Sequence, residues 1–248
     1  MGEHRFRIFL NVYNTDSDAN GPDFTVPGVG SWQGNARNGG DQFSPTWSSD
    51  SWPEQIRVYC STKNPSIGFS WELQVYSYSG DMWTALAQGS WSDTRGKDGT
   101  DDRTARCDHT VIINQRPILN YGIIEGADEI DLNAAGGYCS EYYSVELTDQ
   151  FGVIYEPSLE WSVENHSADI VDAFVSDYSG SAVALFYFQK DYCAAEKEIV
   201  LHVRGYVGQL QNGAVDLYKS IKIKSFLLEK LFYDDIPPFD IRLFENKC

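Results

Sequence analysis

The chain has 248 residues, of which 42% are hydrophobic and 14% aromatic, and its formal net charge is −17. That is apolar material for one large or two ordinary domains, and it excludes a disordered chain. The negative surface repels phosphates, so no nucleic-acid partner is expected; it suits high solubility first, then calcium or basic partners.

The opening residues, Met1-Gly2-Glu3-His4-Arg5-Phe6-Arg7, hold no continuous apolar run, and Ile8-Phe9-Leu10 is too short to supply one. Neither a secretory signal nor a membrane-inserting segment is expected. This suits a chain kept inside a cell, one that leaves without a signal, or the mature part of a precursor.

Residues 1–115 read as a first domain. A strand over 6–13 is followed by a Gly-, Asn-, Asp- and Ser-rich stretch over 14–53, too long for an ordinary loop. It is expected to carry short strands or a functional excursion. Strands follow over 55–60, 69–78, 82–88 and 107–114, with a turn at Ser79-Gly80-Asp81. Gln115-Arg116-Pro117 is the expected boundary.

Residues 116–225 carry the clearest pattern. Tyr143, Val145 and Leu147 alternate with polar positions, as do Leu159, Trp161 and Val163, and again Ile199, Leu201 and Val203. Period-2 alternation with one apolar face is the mark of half-buried antiparallel strands. The tail, 226–248, contains Ile236-Pro237-Pro238, which no helix interior accommodates. It reads as an extended arm bearing Phe226, Leu231, Phe232, Ile236, Phe239, Leu243 and Phe244, docked on its own domain or on a neighbouring copy. The expected fold class is all-β: two β-sandwich-like domains and a C-terminal arm.

The run Ser144-Val145-Glu146-Leu147-Thr148-Asp149-Gln150-Phe151-Gly152, followed by Leu159-Glu160-Trp161-Ser162-Val163, resembles bacterial Ig-like modules. The resemblance extends over about 118–225 and implies an Ig-like sandwich of the kind found in surface proteins, adhesins and phage virion proteins, with no catalytic residues. In the first half, Cys60, Trp71 and Cys107 imitate the Cys…Trp…Cys order of an Ig domain. Ala105 stands where the corner tyrosine belongs. Glu72 to Trp83 is partly similar to a hairpin of discoidin-type jelly rolls.

The sites are sparse. Asp16-Ser17-Asp18-Ala19-Asn20-Gly21 has the alternating oxygen donors of a calcium loop, with Asp16, Asp18 and Asn20 as ligands. Its twelfth position is Pro27 rather than a bidentate Glu, so an acidic turn is the favoured reading and no cofactor is otherwise expected. A second acidic loop, Asp93, Asp98, Asp101 and Asp102, is interleaved with Arg95, Lys97 and Arg103 and reads as solvated. Trp32, Trp47, Trp52 and Trp91 sit beside Ser, Gly or Asp; most are expected in the core, with one or two free to meet a glycan or protein partner. His4, His109, His166 and His202 are scattered. Five cysteines leave at least one thiol without an intramolecular mate; Cys60–Cys107 and Cys139–Cys193 are conceivable pairs, with reduced, buried thiols the default.

No nucleophile elbow, phosphate loop, zincin motif or dinucleotide fingerprint occurs. The expectation is a non-enzymatic structural or interaction protein, most concretely an accessory or decoration component of a phage virion, in a homo- or hetero-oligomeric assembly. The alternative is a carbohydrate-binding or adhesion module at a bacterial surface or outside the cell.

Overall fold

The computed structural model describes residues 3–14, 21–36, 39–62, 67–93, 105–120, 122–132, 138–164, 171–175, 183–190, 197–208 and 210–224. All regular structure among them is β, apart from single turns. The strands are β1 (His4–Asn14), β2 (Asp23–Val26), β3 (Gly30–Gln33), β4 (Gly40–Phe43), β5 (Trp47–Ser49), β6 (Gln55–Thr62), β7 (Ile67–Ser77), β8 (Met82–Asp93), β9 (Ala105–Ile112) and β10 (Leu119–Asn120). They continue as β11 (Ile124–Glu125), β12 (Glu129–Asp131), β13 (Tyr138–Val145), β14 (Leu147–Asp149), β15 (Ile154–Tyr155), β16 (Leu159–Glu164), β17 (Val171–Val175), β18 (Val183–Lys190), β19 (Lys197–Tyr206) and β20 (Ala214–Lys224). The 14–53 stretch thus carries four short strands.

The chain divides into two compact units. One takes the described residues up to Asn120 together with Thr148–Tyr155 and Gly208–Gly213; the other takes the described residues between these segments and from Ala214 onward.

In the first unit, one sheet runs β4-β1-β7-β8, with β5 also paired to β1, and a second runs β3-β2-β6-β9. Their inner faces form one core. Ile8, Leu10, Val12, Phe69, Trp71 and Leu73 from the first meet Phe24, Val26, Ile56, Val58, Cys60 and Cys107 from the second. Alternation explains the sorting: on β1, Phe6, Ile8, Leu10 and Val12 are buried, while Arg5, Arg7, Phe9 and Asn11 stand on the other face. Burying a large apolar side chain contributes about 1.5–3 kcal/mol, so this face dominates the stability of the unit.

The second unit again has two sheets, β11-β13-β18-β17 and β12-β20-β19-β16, with β12 parallel to β20. The alternating residues read from the sequence face inward: Tyr143 and Val145, Leu159 and Trp161, and Ile199, Leu201 and Val203 are all buried. Trp161 meets Phe186 edge-on across the core at 5.9 Å. Tyr143 is wholly buried and donates its phenol to the Ala127 carbonyl at 3.1 Å, as a buried hydroxyl must.

Candidate functional site

Two constellations stand out in the first unit, one buried and one exposed. The buried one gathers around Asp149, whose carboxylate is sealed from solvent. Its Oδ2 accepts from His4 Nε2 at 2.6 Å and from the Tyr155 hydroxyl at 2.9 Å. Its Oδ1 accepts from the backbone N–H groups of Phe151 and Val153 at 2.8 and 3.1 Å. Four donors satisfy one buried carboxylate, which keeps its desolvation tolerable. The turn that presents it needs Gly152, at φ 76°: a Cβ there would lie 2.9 Å from the Ser79 amide nitrogen. Phe151 stacks on Trp52 at 5.5 Å, and Trp52 meets His4 edge-on at 4.9 Å and donates to the Gln115 carbonyl at 2.7 Å.

A His–Asp–Tyr grouping invites a catalytic reading, and its geometry opposes one. The Tyr155 proton is directed at Asp149 rather than drawn off by a base, and burial and the adjacent carboxylate push the phenol far up. With Asp149 sealed and His4 and Tyr155 buried, no substrate atom has access to them. The cluster is a polar anchor that fastens segment 148–155 to β1. His202 in the second unit is a similar strand clamp: Nδ1 lies 3.0 Å from Glu164 Oε1, Nε2 lies 2.7 Å from Asp216 Oδ1, and the ring stacks on Tyr218 at 4.3 Å.

The exposed constellation covers the outer face of the β4-β1-β7-β8 sheet. Tyr76 and Trp83 are a cross-strand pair with ring centroids 5.3 Å apart. Tyr78 meets Tyr76 edge-on at 5.0 Å, and the Arg5 guanidinium lies 5.2 Å from the Tyr76 ring. Phe9 and Phe43 pair across β1 and β4 at 5.3 Å. The Arg7 guanidinium sits between the two groups, 4.4 Å from the Phe43 ring and 4.2 Å from the Trp83 ring, so that a cation is clasped by two aromatic rings. Partial burial there lowers the Arg7 pKa.

Polar groups are interleaved in the same plane. Arg7 Nε donates to Gln74 Oε1 at 2.8 Å, and Gln74 Nε2 donates to Glu72 Oε2 at 2.7 Å. Tyr76 donates to Asp81, which raises the phenol's pKa through that hydrogen bond. Phe43 and Tyr78 are 52% and 46% exposed. The solvent face of an antiparallel sheet is ordinarily polar, so an aromatic row on it is out of the ordinary.

The tryptophans named from sequence lie elsewhere. Trp32 stacks on buried Phe24 at 5.8 Å, Trp47 packs against both apolar clusters of the unit, Trp52 lies on Phe151, and Trp91 leans on Phe69 at 5.9 Å. All four are half-buried. Asp16, Asp18 and Asn20, most of the second acidic loop, and the arm residues Phe226, Leu231, Phe232, Ile236, Phe239, Leu243 and Phe244 lie outside the described residues. Among the described residues, no group of three or more His, Cys, Asp or Glu side chains is placed to hold a metal ion. No helix among them is long and apolar enough to cross a membrane.

The strands define an all-β protein of sandwich type, with an aromatic row on the outer face of one sheet. No family model matches the chain, and no curated protein matches it. Among solved structures, it is similar to the S-layer protein SbsC. Domains 4 and 5 of that protein align over 62% of this chain and 96% of theirs, at 11% identity and a TM-score of 0.30. A structure of domains 4–9 aligns over 85% of this chain and 31% of its own, at 10% identity and a TM-score of 0.32. Superpositions this loose carry no argument about activity or partners.

Proposed function

We propose that this chain is a non-enzymatic binding protein of the adhesion type, and that it holds neutral carbohydrate on the outer face of the β4-β1-β7-β8 sheet. The observation that carries the reading is the clasp of Arg7 between Phe43 and Trp83, set in a row with Tyr76, Tyr78, Gln74 and Glu72. A pyranose presents an apolar C–H face and a rim of hydroxyls. The first stacks on aromatic rings; the second bonds to guanidinium, amide and carboxylate groups. A rigid sheet that holds rings and polar groups in one plane offers both without an ordering cost at binding. The net charge of −17 disfavours polyanionic glycans and leaves neutral ones as the matching class.

The second reading is a protein partner in an assembly, such as the decoration of a phage particle. It draws on the same face, since Trp, Tyr and Arg also dominate protein hot spots and Tyr13, Phe43 and Tyr78 are exposed. Its other support, the apolar arm, lies outside the described residues.

Affinity electrophoresis through gels containing single neutral polysaccharides separates the two. Carbohydrate binding predicts retardation in at least one gel, abolished by Trp83→Ala and by Arg7→Gln, with a monomer in solution. No retardation in any gel, together with concentration-dependent oligomers that Trp83→Ala dissolves, overturns it in favour of the assembly reading.

A further inference from the structure

Cys60 on β6 and Cys107 on β9 are directly opposed in the antiparallel register. Opposed residues of such a ladder point to the same face, and both side chains are in the core, 1% and 2% exposed. Both carry thiols, with no disulfide between them. Opposed residues in an antiparallel pair have Cα atoms about 4.5–5.5 Å apart, inside the window of about 4.4–6.8 Å that a disulfide requires. The register is also held from the outer face: Asp108 accepts from Arg57 Nε at 2.9 Å and Nη2 at 3.1 Å, and from Arg106 at 3.1 Å. Among the described residues β9 ends its sheet, so it is a strand whose opening exposes both sulfurs.

We infer that Cys60 and Cys107 are a built oxidation site, a dithiol that closes to a cross-strand disulfide fastening β9 to β6 when the chain meets a low-molecular-weight disulfide. The thiolate of Cys107 attacks one sulfur of the external disulfide, forming a mixed disulfide and releasing one thiolate. Cys60 then attacks the Cys107 sulfur and releases the second. Two protein thiols are oxidised, one external disulfide is reduced to two thiols, and the protons pass to solvent and to the leaving groups. Burial pushes both thiols up, to about 12 for Cys60 and about 11 for Cys107, the second helped by the charge of Asp108. The folded dithiol is therefore slow to react, and closure belongs to folding or to transient opening of β9.

The bridge would link segments about 50 residues apart, which restricts the unfolded chain and raises the melting temperature by roughly 10 °C. The test uses the full chain carrying Cys139→Ser, Cys193→Ser and Cys248→Ser, refolded from urea in reduced and oxidised glutathione. The expected product has lost two hydrogens in mass, yields one peptide pair joining Cys60 to Cys107, and melts higher than its reduced form. The folded reduced protein should oxidise far more slowly in the same buffer. Two thiols still titratable after refolding, or an oxidised form that melts no higher, overturns the inference. Cys60→Ala and Cys107→Ala, each tested alone, should show no shift in melting temperature between reducing and oxidising buffers.

Discussion

Asp149→Ala should be among the most destabilising single changes in the first unit. The substitution removes one carboxylate and orphans four donors: the His4 ring, the Tyr155 hydroxyl and the amides of Phe151 and Val153. A buried donor left without a partner costs about 1–3 kcal/mol. The turn can relax to recover one or two of the amides, so a loss of about 4 kcal/mol is expected, a large part of the 5–15 kcal/mol that typically holds a domain together. Tyr155→Phe removes one donor and leaves the rest, so it should lose about 1 kcal/mol. Urea unfolding followed by tryptophan emission is the assay, because Trp52 lies against Phe151 and His4 and reports this cluster. The slope of the transition should be unchanged and its midpoint lowered. A loss below about 1 kcal/mol for Asp149→Ala refutes the view that the cluster is an anchor.

Two further outcomes follow from packing and titration. The folded state keeps the Cys60 and Cys107 thiols protonated up to about 12 and about 11, against an ordinary value of 9.0. Above pH 9 the unfolded chain has therefore released protons that the folded one retains, so stability is full below that pH and falls as pH rises towards 11. The urea midpoint should drop between pH 8 and pH 10.5, and drop less in the Cys60→Ala/Cys107→Ala double variant; an equal drop in both contradicts the assignment. Gly89→Ala places a methyl 2.9 Å from the Trp71 indole, which is buried and cannot step aside, and should cost about 1–3 kcal/mol. An unchanged urea midpoint for that variant contradicts the tight packing described.

The all-β class was legible in the sequence because Tyr143, Val145 and Leu147, Leu159 and Trp161, and Ile199, Leu201 and Val203 alternate with polar positions, and the structure buries all of them. The aromatic outer face was less legible, for a reason seated in one strand. Trp83 and Trp91 are eight residues apart, so strict alternation puts them on the same side. The pairing of β7 with β8 slips between Leu73 and Gln74, leaving Leu86 as an extra residue. The slip inverts parity: Trp83 opposes Tyr76 on the outer face, and Trp91 opposes Phe69 in the core. No residue type in 82–93 announces a bulge. The row itself could have been found by reading the polar phase of β1, where Arg5, Arg7 and Phe9 alternate with Phe6, Ile8 and Leu10. The Asp149 anchor was hidden differently. Its partner His4 is 145 residues away, and the strand pattern around Asp149 gives no sign that the segment packs in the first unit.

The most direct test of the account is a titration of the chain with the neutral polysaccharide that retards it most, comparing Trp83→Ala with Trp91→Ala. Loss of a ring at the centre of such a face weakens binding by more than about 1 kcal/mol, roughly fivefold in Kd or beyond. The account predicts that loss for Trp83→Ala and an unchanged Kd for folded Trp91→Ala. The reverse order, or equal affinity in both variants, contradicts it.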